Sequence, residues 1–266
     1  MTCSVTILGA RGSVPVSGSE FSRYGGATTC VLVRFGGQYI ALDAGTGILS
    51  LPKAALRSKE LSLLLSHPHA DHLLGLPMCP YLLRPEAQLN VYAAPHGGLD
   101  AQEQVCRLLS PPLWPVGPKA FPASVHIRNL PPVLRLGDVT VDVLEGVHPG
   151  GVSVFRLEAG GKRVVFATDC SLRDDFAPRL AEFARGCDLL LCDGQYSQRE
   201  WAKKPGYGHS SWTAAARLAK KCGAKRLRII HHDPFRTDEK LDAAAAKLRA
   251  KNPDHDFAKE GEEIRL

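Results

Sequence analysis

The stretch Ser66-His67-Pro68-His69-Ala70-Asp71-His72 constrains this chain more than any other. Three imidazoles and one carboxylate occupy the six positions 67–72, directly after Leu61-Ser62-Leu63-Leu64-Leu65, a short apolar run that reads as a buried strand. An apolar core gains nothing from such a cluster, because each ring nitrogen taken out of water needs a partner. Imidazole nitrogens plus a carboxylate are the donor set that zinc and similar transition metals take. The fold must therefore let a strand end deliver His67, His69, Asp71 and His72 to one polar cleft.

These four donors do not easily face a single ion. His67 and His69 alternate by two and share a face in extended backbone, whereas Asp71 and His72 follow the turn. Two cation sites in one cleft are the simplest solution, and each needs more donors. Three other predicted strands end at candidates: 139–144 before His148, 163–168 before Asp169, and 226–230 before His231-His232-Asp233-Pro234. Seven of the ten histidines (67, 69, 72, 148, 209, 231 and 232) fall at such places or just before a helix. Asp43 and Asp193 end strands too; they read as acceptors for turn backbone or as carboxylates that orient a ligating histidine. His96, His126 and His255 have no such pattern and are expected in loops or at the surface.

At this point the chain resembles the metallo-β-lactamase superfamily over nearly its whole length. Within it, the resemblance is to the phosphodiesterase branch that includes RNase Z and phosphoribosyl cyclic phosphate phosphodiesterase. It rests on His-x-His-x-Asp-His followed by Gly75, with Gly9-Ala10-Arg11-Gly12-Ser13, Arg23-Tyr24-Gly25-Gly26, Leu42-Asp43-Ala44-Gly45-Thr46-Gly47, Ala167-Thr168-Asp169, Asp193-Gly194-Gln195-Tyr196, Gly208-His209-Ser210 and His231-His232-Asp233-Pro234 in that order. The resemblance implies an α/β (α+β) four-layer αββα sandwich with two mostly antiparallel sheets. It implies a first metal on His67, His69 and His148, a second on Asp71, His72 and His231, and Asp169 between them. His231 is preferred to His232 from the motif's ending. The resemblance also places His209 beside the scissile phosphate.

The chemistry then expected is phosphodiester hydrolysis. Two divalent ions, zinc with manganese or iron as alternatives, neutralise the phosphate and bring a bridging water's pKa towards about 7. Asp71 accepts the water's proton, and His209 protonates the leaving oxygen. Arg11 and Arg23 are candidate phosphate contacts, with solvated surface charge as the plainer reading. Gly9-Ala10-Arg11-Gly12 is no P-loop, because the Gly-Lys-Ser/Thr ending is missing. Cys170, beside Asp169, is expected near the metals without ligating them.

Composition bounds the rest. The 266 residues are 44% hydrophobic and 23% charged, which fits a single hydrolase domain over 1–266 with a large core. No apolar run approaches the ~18 residues of a membrane span. Eight cysteines without a Cys-x-x-Cys pair fit free thiols and a cytoplasmic location. The net charge of +6, concentrated in runs such as Lys203-Lys204 and Lys220-Lys221, favours a small anionic phosphodiester as partner. Nucleic acid is a less favoured partner, because RNase Z carries a long Gly- and basic-rich arm that has no counterpart here. A homodimer stays open. The competing functions are an RNase Z-like nuclease, a thioester hydrolase and a non-catalytic metal-binding sensor.

Strands are expected at 3–8, 30–35, 38–43, 61–65, 89–93, 125–129, 139–144, 152–158, 163–168, 188–192 and 226–230. Helices are expected near 49–58, 98–109, 173–185, 210–222 and 237–251. Ser210 or Ser211 should cap the fourth helix, whose stripe Trp212, Ala215, Leu218, Ala219 and Cys222 should pack on a sheet. The proline-rich stretch 110–122 is expected to be irregular.

Overall fold

Short apolar runs, buried on both faces in the central strands, build two sheets that share one interior. The computed structural model describes residues 2–173 and 175–266; Asp174, inside the helix expected over 173–185, lies outside the described residues. The first sheet takes β1 (Cys3–Gly9), β2 (Cys30–Phe35), β3 (Gln38–Leu42), β4 (Glu60–Leu65), β5 (Gln88–Ala93) and β6 (Ser124–Asn129). The second takes β7 (Val133–Leu136), β8 (Val139–Gly146), β9 (Val152–Ala159), β10 (Lys162–Ala167), β11 (Leu189–Asp193), β12 (Leu227–Ile230) and β13 (His255–Phe257). β14 (Glu263–Arg265) returns to the first sheet beside β1, so the strand orders are β14-β1-β2-β3-β4-β5-β6 and β13-β12-β11-β10-β9-β8-β7.

The expected mostly antiparallel sheets are corrected here. In the first sheet β14-β1-β2-β3 pair antiparallel and β3-β4-β5-β6 pair parallel. The second repeats the pattern, with β7-β8-β9-β10 antiparallel and β10-β11-β12-β13 parallel. The two halves are thus duplicates in topology, a relation invisible in the sequence. Parallel pairing needs crossovers, and the helices supply most of them. α1 (Lys53–Leu56) and α2 (Ala101–Leu108) cover the first sheet, with Ala55, Ala101 and Val105 in one outer core. α3 (Phe176–Phe183), α4 (Gln198–Ala202), α5 (Trp212–Cys222) and α6 (Asp238–Arg249) cover the second, with Phe176, Leu180, Leu218 and Leu248 in the other. Between the sheets, Val5, Val33 and Leu42 meet Phe155, Val164, Phe166 and Leu191. Val165 and Leu190 point to the helices instead. This is the αββα sandwich.

Local chemistry explains where the elements stop. Ser211 caps α5 by accepting the Ala214 N–H at 3.2 Å, and Gly223 closes it at φ 69. Residues 49–58 do not form one helix. Pro52 has no N–H and holds Leu51 extended, so a tight turn at Thr46–Ser50 and the short α1 take its place. The stretch 110–122 is irregular apart from one turn at Pro118–Ala120. Among the described residues no helix is long and apolar enough to cross a membrane. His126 is exposed, but His96 and His255 are buried rather than at the surface. His96 Nε2 lies 2.9 Å from Ser153 Oγ, and His255 sits in β13.

Candidate metal centre

Strand ends on one rim of the sandwich deliver every donor expected from the sequence. β4 runs into Ser66 and His67, β10 into Thr168 and Asp169, and β12 into His231, while His148 lies in the β8–β9 connection. Three of these are carboxyl ends of strands in the parallel halves, where α/β sheets gather their ligand-binding groups.

Three groups of donors result: His67, His69, His148 and Asp169; Asp71, His72, Asp169 and His231; and a third, Asp169, Asp193, His209 and His231, that shares two members with the second. In the first, His69 Nδ1 stands 2.9 Å from His67 Nε2 and 3.0 Å from His148 Nε2. Asp169 Oδ2 lies 3.7 and 3.8 Å from those two Nε2 atoms. In the second, His231 Nε2 is 3.1 Å from both Asp71 Oδ2 and Asp169 Oδ1, and His72 Nε2 is 3.3 and 3.4 Å from the same oxygens. Asp169 thus offers one oxygen to each of these two groups. Donors about 2.0–2.2 Å from a tetrahedral cation stand roughly 3.3–3.6 Å apart; the second group, at 3.1–3.4 Å, is close to that spacing, and the first, at 2.9–3.8 Å, straddles it.

Groups behind the donors settle which ring nitrogen is free. Asp43 Oδ2 accepts from His72 Nδ1 at 2.7 Å and from the Ser66 hydroxyl at 2.7 Å, and its Oδ1 accepts the Ser66 N–H at 2.7 Å. The Ser66 oxygen is then left to accept from His67 Nδ1 at 3.0 Å. His148 Nδ1 donates to the Gly208 carbonyl at 3.1 Å. In all three rings Nδ1 is engaged behind the site and Nε2 faces the cleft, the arrangement that orients histidines on a metal. His72 Nε2 is buried with no hydrogen-bond partner although two carboxylates face it. A cation is what would satisfy that atom. Asp43 is therefore both the turn acceptor and the histidine-orienting carboxylate that its position suggested.

The charges divide the first two groups. Burial and the neighbouring rings, against the pull of Asp169, hold His67 well below the ordinary histidine range and His69 below it. Burial brings His148 down to about 4. Burial also opposes charge on His72 and His231, but the surrounding carboxylates outweigh it. Asp169, Asp71 and Asp43 raise His72 well above its usual range, and Asp169 and Asp71 push His231 up to about 9. Burial would raise Asp71 and Asp169, yet the facing imidazoles hold both carboxyls far below the usual carboxylate range. The histidines of the second group are thus held towards the protonated form by its carboxylates, and those of the first towards the neutral form.

Backbone strain concentrates at this rim. Ser13, Asp43, Asp169 and His231 are the non-glycine residues with positive φ among those described, at 65°, 61°, 47° and 59°. Each costs of order 1–3 kcal/mol and persists only where its surroundings enforce it. All four serve the donors, Ser13 by giving its N–H to Asp71 Oδ2 at 2.8 Å. Gly208, at φ +79, must be glycine: a Cβ there would come 2.2 Å from His148 Nδ1.

His209, a member of the third group, stands beside the first two. Its ring stacks on His231 with centroids 4.8 Å apart, and Nδ1 lies 4.0 Å from Asp169 Oδ2. Asp193 Oδ2 accepts from that Nδ1 at 2.8 Å, so any proton His209 delivers comes from Nε2. Asp193 Oδ1 accepts the Ser210 N–H at 2.9 Å, which ties the ring to the turn before α5.

Four further residues singled out by the sequence lie outside the donor groups. His232 turns away from the centre, with Nε2 2.9 Å from the Ala258 carbonyl and its ring edge-on to Tyr24. Arg11 is neither a phosphate contact nor a surface charge. Its buried guanidinium donates to the carbonyls of Gly25, Asp233 and Arg236, pinning the loop after His231 to the N-terminal loop. Arg23 pairs with Asp242 at 2.5 Å on the surface. Cys170 is buried in the core behind the site and donates to the Ala167 carbonyl. Sequence reasoning missed Ser66 and Ser13. Ser66 is a polar strand end, a weak signal, and Ser13 acts through its backbone, which leaves no signal in a side chain.

An αββα sandwich with two histidine–aspartate clusters sharing one carboxylate at its rim defines a metal-dependent hydrolase of the metallo-β-lactamase fold. The β-lactamase superfamily domain model matches residues 38–232, and the chain belongs to that superfamily. It is 26% identical over 253 residues to the probable metallo-hydrolase YhfI of Bacillus subtilis, covering 89% of this chain and 92% of that one. The YhfI crystal structure superposes with a TM-score of 0.73 at 22% identity over 100% of both chains. A ribonuclease Z from Bradyrhizobium sp. is 26% identical over 271 residues, 82% of this chain and 88% of the relative. A diphosphatase of the PhnP family superposes with a TM-score of 0.72 at 21% identity, covering 100% of this chain and 98% of the other.

Proposed function

We propose that this protein is a dinuclear metal-dependent phosphodiesterase acting on small cyclic or nucleotide-like phosphodiesters. His67, His69, His148 and Asp169 would hold one divalent cation, and Asp71, His72, His231 and Asp169 the other, zinc being the first choice for this donor set. When bound, such a pair neutralises phosphate charge and acidifies water. The protein's own groups do the rest. Asp71, kept ionised by its neighbours and by the Ser13 N–H, would orient the attacking water by accepting its hydrogen bond. His209 gives its Nε2 proton to the leaving oxygen, and Asp193 stabilises the charged ring while it waits.

The observation that carries this reading is the Asp193–His209 pair, set against His231. Neither residue is needed to complete the donor groups of the first or second site, and an acid beside them suits a poor leaving group such as an alkoxide. The free thiols fit a reducing compartment, so we place the activity in the cytoplasm. The test is hydrolysis of bis(p-nitrophenyl) phosphate and of alkyl phosphodiesters by protein reconstituted with zinc or manganese. His209→Ala should keep its metal and lose turnover mainly on the alkyl esters. A metal-loaded wild type inert on all of them would refute the proposal in favour of a binding protein.

A further inference from the structure

The end of the sandwich opposite the metal centre holds a polar cavity that the proposed chemistry does not use. Its volume is about 460 Å3, and Gln38, Lys59, Ser62, Asn90, Tyr92 and Arg135 are among its lining residues. β4 passes the cavity at Ser62 and reaches His67 five residues later, so the two places stand roughly 17 Å apart along that strand at about 3.3 Å per residue. Ile40 and Leu64 point into the core between the sheets. Ser62 pairs beside Ile40 and shares the face of Leu64, and Asn90 pairs beside Ser62 and shares the face of Tyr92. Polar side chains thus stand where the inter-sheet core would continue, and the cavity faces them.

The hydrogen-bonding groups there are oriented and unused. Asn90 is 7% exposed, and its Oδ1 accepts from Arg128 Nη1 and Gln88 Nε2, each at 3.1 Å. A guanidinium can only donate, so the amide oxygen is fixed on that side and the NH2 is left to the cavity. The Ser62 and Tyr92 hydroxyls have no hydrogen-bond partner among the described residues, and Gln38 Oε1 is buried without one. Buried polar groups in that state cost free energy until something pairs with them. At the mouth Lys59 and Arg135 are exposed, and among the described residues neither forms an ion pair; Arg135 Nη1 has the Thr140 hydroxyl at 3.4 Å. Glu60, exposed in the same lining, also has no cation beside it among the described residues.

We propose that this cavity binds a sugar phosphate, free or as part of a mononucleotide, without cleaving it. The sugar hydroxyls meet the Asn90 NH2, Ser62, Tyr92 and the Glu60 carboxylate, and the phosphate meets Lys59 and Arg135. The volume lies within the roughly 300–1,000 Å3 of small-ligand sites, and the polar lining suits a hydrophilic ligand rather than an apolar one. The site is independent of the hydrolytic reading, because no group of the metal centre takes part in it.

The test is calorimetric titration of zinc-reconstituted protein with ribose 5-phosphate and adenosine 5′-monophosphate, with ribose, adenosine and inorganic phosphate as controls. Wild type should bind at least one of the two sugar phosphates about tenfold more tightly than any control. Binding of ribose 5-phosphate assigns a free sugar phosphate, and binding of the nucleotide alone assigns a mononucleotide. Lys59→Ala and Arg135→Ala change exposed side chains, so both should fold with unchanged metal content. Each should weaken the binding about tenfold, the order of one charge-assisted contact, and Arg135→Lys should recover part of the loss. Inorganic phosphate binding as tightly as the sugar phosphates, or binding indifferent to both alanine substitutions, would place the anion on the metals and overturn the proposal. Absence of binding by either sugar phosphate would overturn it as well.

Discussion

Asp193→Asn isolates the proposed acid without touching a donor of the first two clusters. Asp193 is buried, and its two oxygens do separate tasks: Oδ1 accepts the Ser210 N–H at 2.9 Å and Oδ2 accepts from His209 Nδ1 at 2.8 Å. Asparagine keeps an oxygen for Ser210, so the turn before α5 stays in place. Its NH2 then faces His209, which must present a lone pair at Nδ1 and can no longer be held as the charged ring. A hydrogen bond to a charged group is worth about 1.5–3 kcal/mol, and about 1.4 kcal/mol is tenfold, so kcat on an alkyl phosphodiester should fall roughly 10- to 150-fold. A p-nitrophenolate leaves without a proton, so bis(p-nitrophenyl) phosphate should lose less than about threefold. Steady-state rates on the two substrates, with metal content measured on the same samples, read this directly. Parallel losses on both substrates, or a loss of metal that tracks the loss of rate, would refute the acid role and make Asp193 a structural carboxylate.

Asp43→Ala removes the carboxylate behind His72 and the anchor of Ser66, which in turn orients His67, and loss of such support weakens metal affinity roughly 10- to 100-fold; a competitive zinc titration should show the site of His72 weakened most and that of His67 less. The two donor groups should also differ in pH response. His231 is raised to about 9 and His72 is raised as well, so both carry protons at neutral pH in the metal-free protein, and a cation must displace them. Affinity at that site should climb with pH up to about 9, with protons released to buffer, whereas the first group, with His148 at about 4 and His67 and His69 also lowered, should bind without displacing histidine protons at pH 7; calorimetry in buffers of different ionisation enthalpy separates the cases. The same shift has a stability sign: a raised histidine stabilises the metal-free fold fully below its unfolded pKa of about 6.5, and that contribution is lost as pH rises through about 9. The Tm of chelator-stripped protein should therefore fall between pH 6.5 and 9.5, and a flat or rising Tm would contradict it.

Much of the centre was legible because its donors obey local rules. His67 to His72 follow one apolar strand within six residues, and His148, Asp169 and His231 each stand just beyond another, so strand ends marked them as candidates and the resemblance to the metallo-β-lactamase superfamily chose among these. The sequence determined the donor set and the central strands, since hydrophobic alternation is a property of neighbours along the chain. Only the tertiary structure decided the rest. β7, β13 and β14 are short and carry polar residues, so their identity comes from the strand they pair with rather than from their own pattern. Nothing in a strand's sequence states whether its neighbour runs parallel, hence the half-parallel sheets. Adjacent His231 and His232 differ in role because the backbone at His231 takes φ 59° and sends the two rings opposite ways. Arg11 became a buried clamp because carbonyls more than two hundred residues away arrived beside it, a matter of long-range closure that no window along the chain can contain.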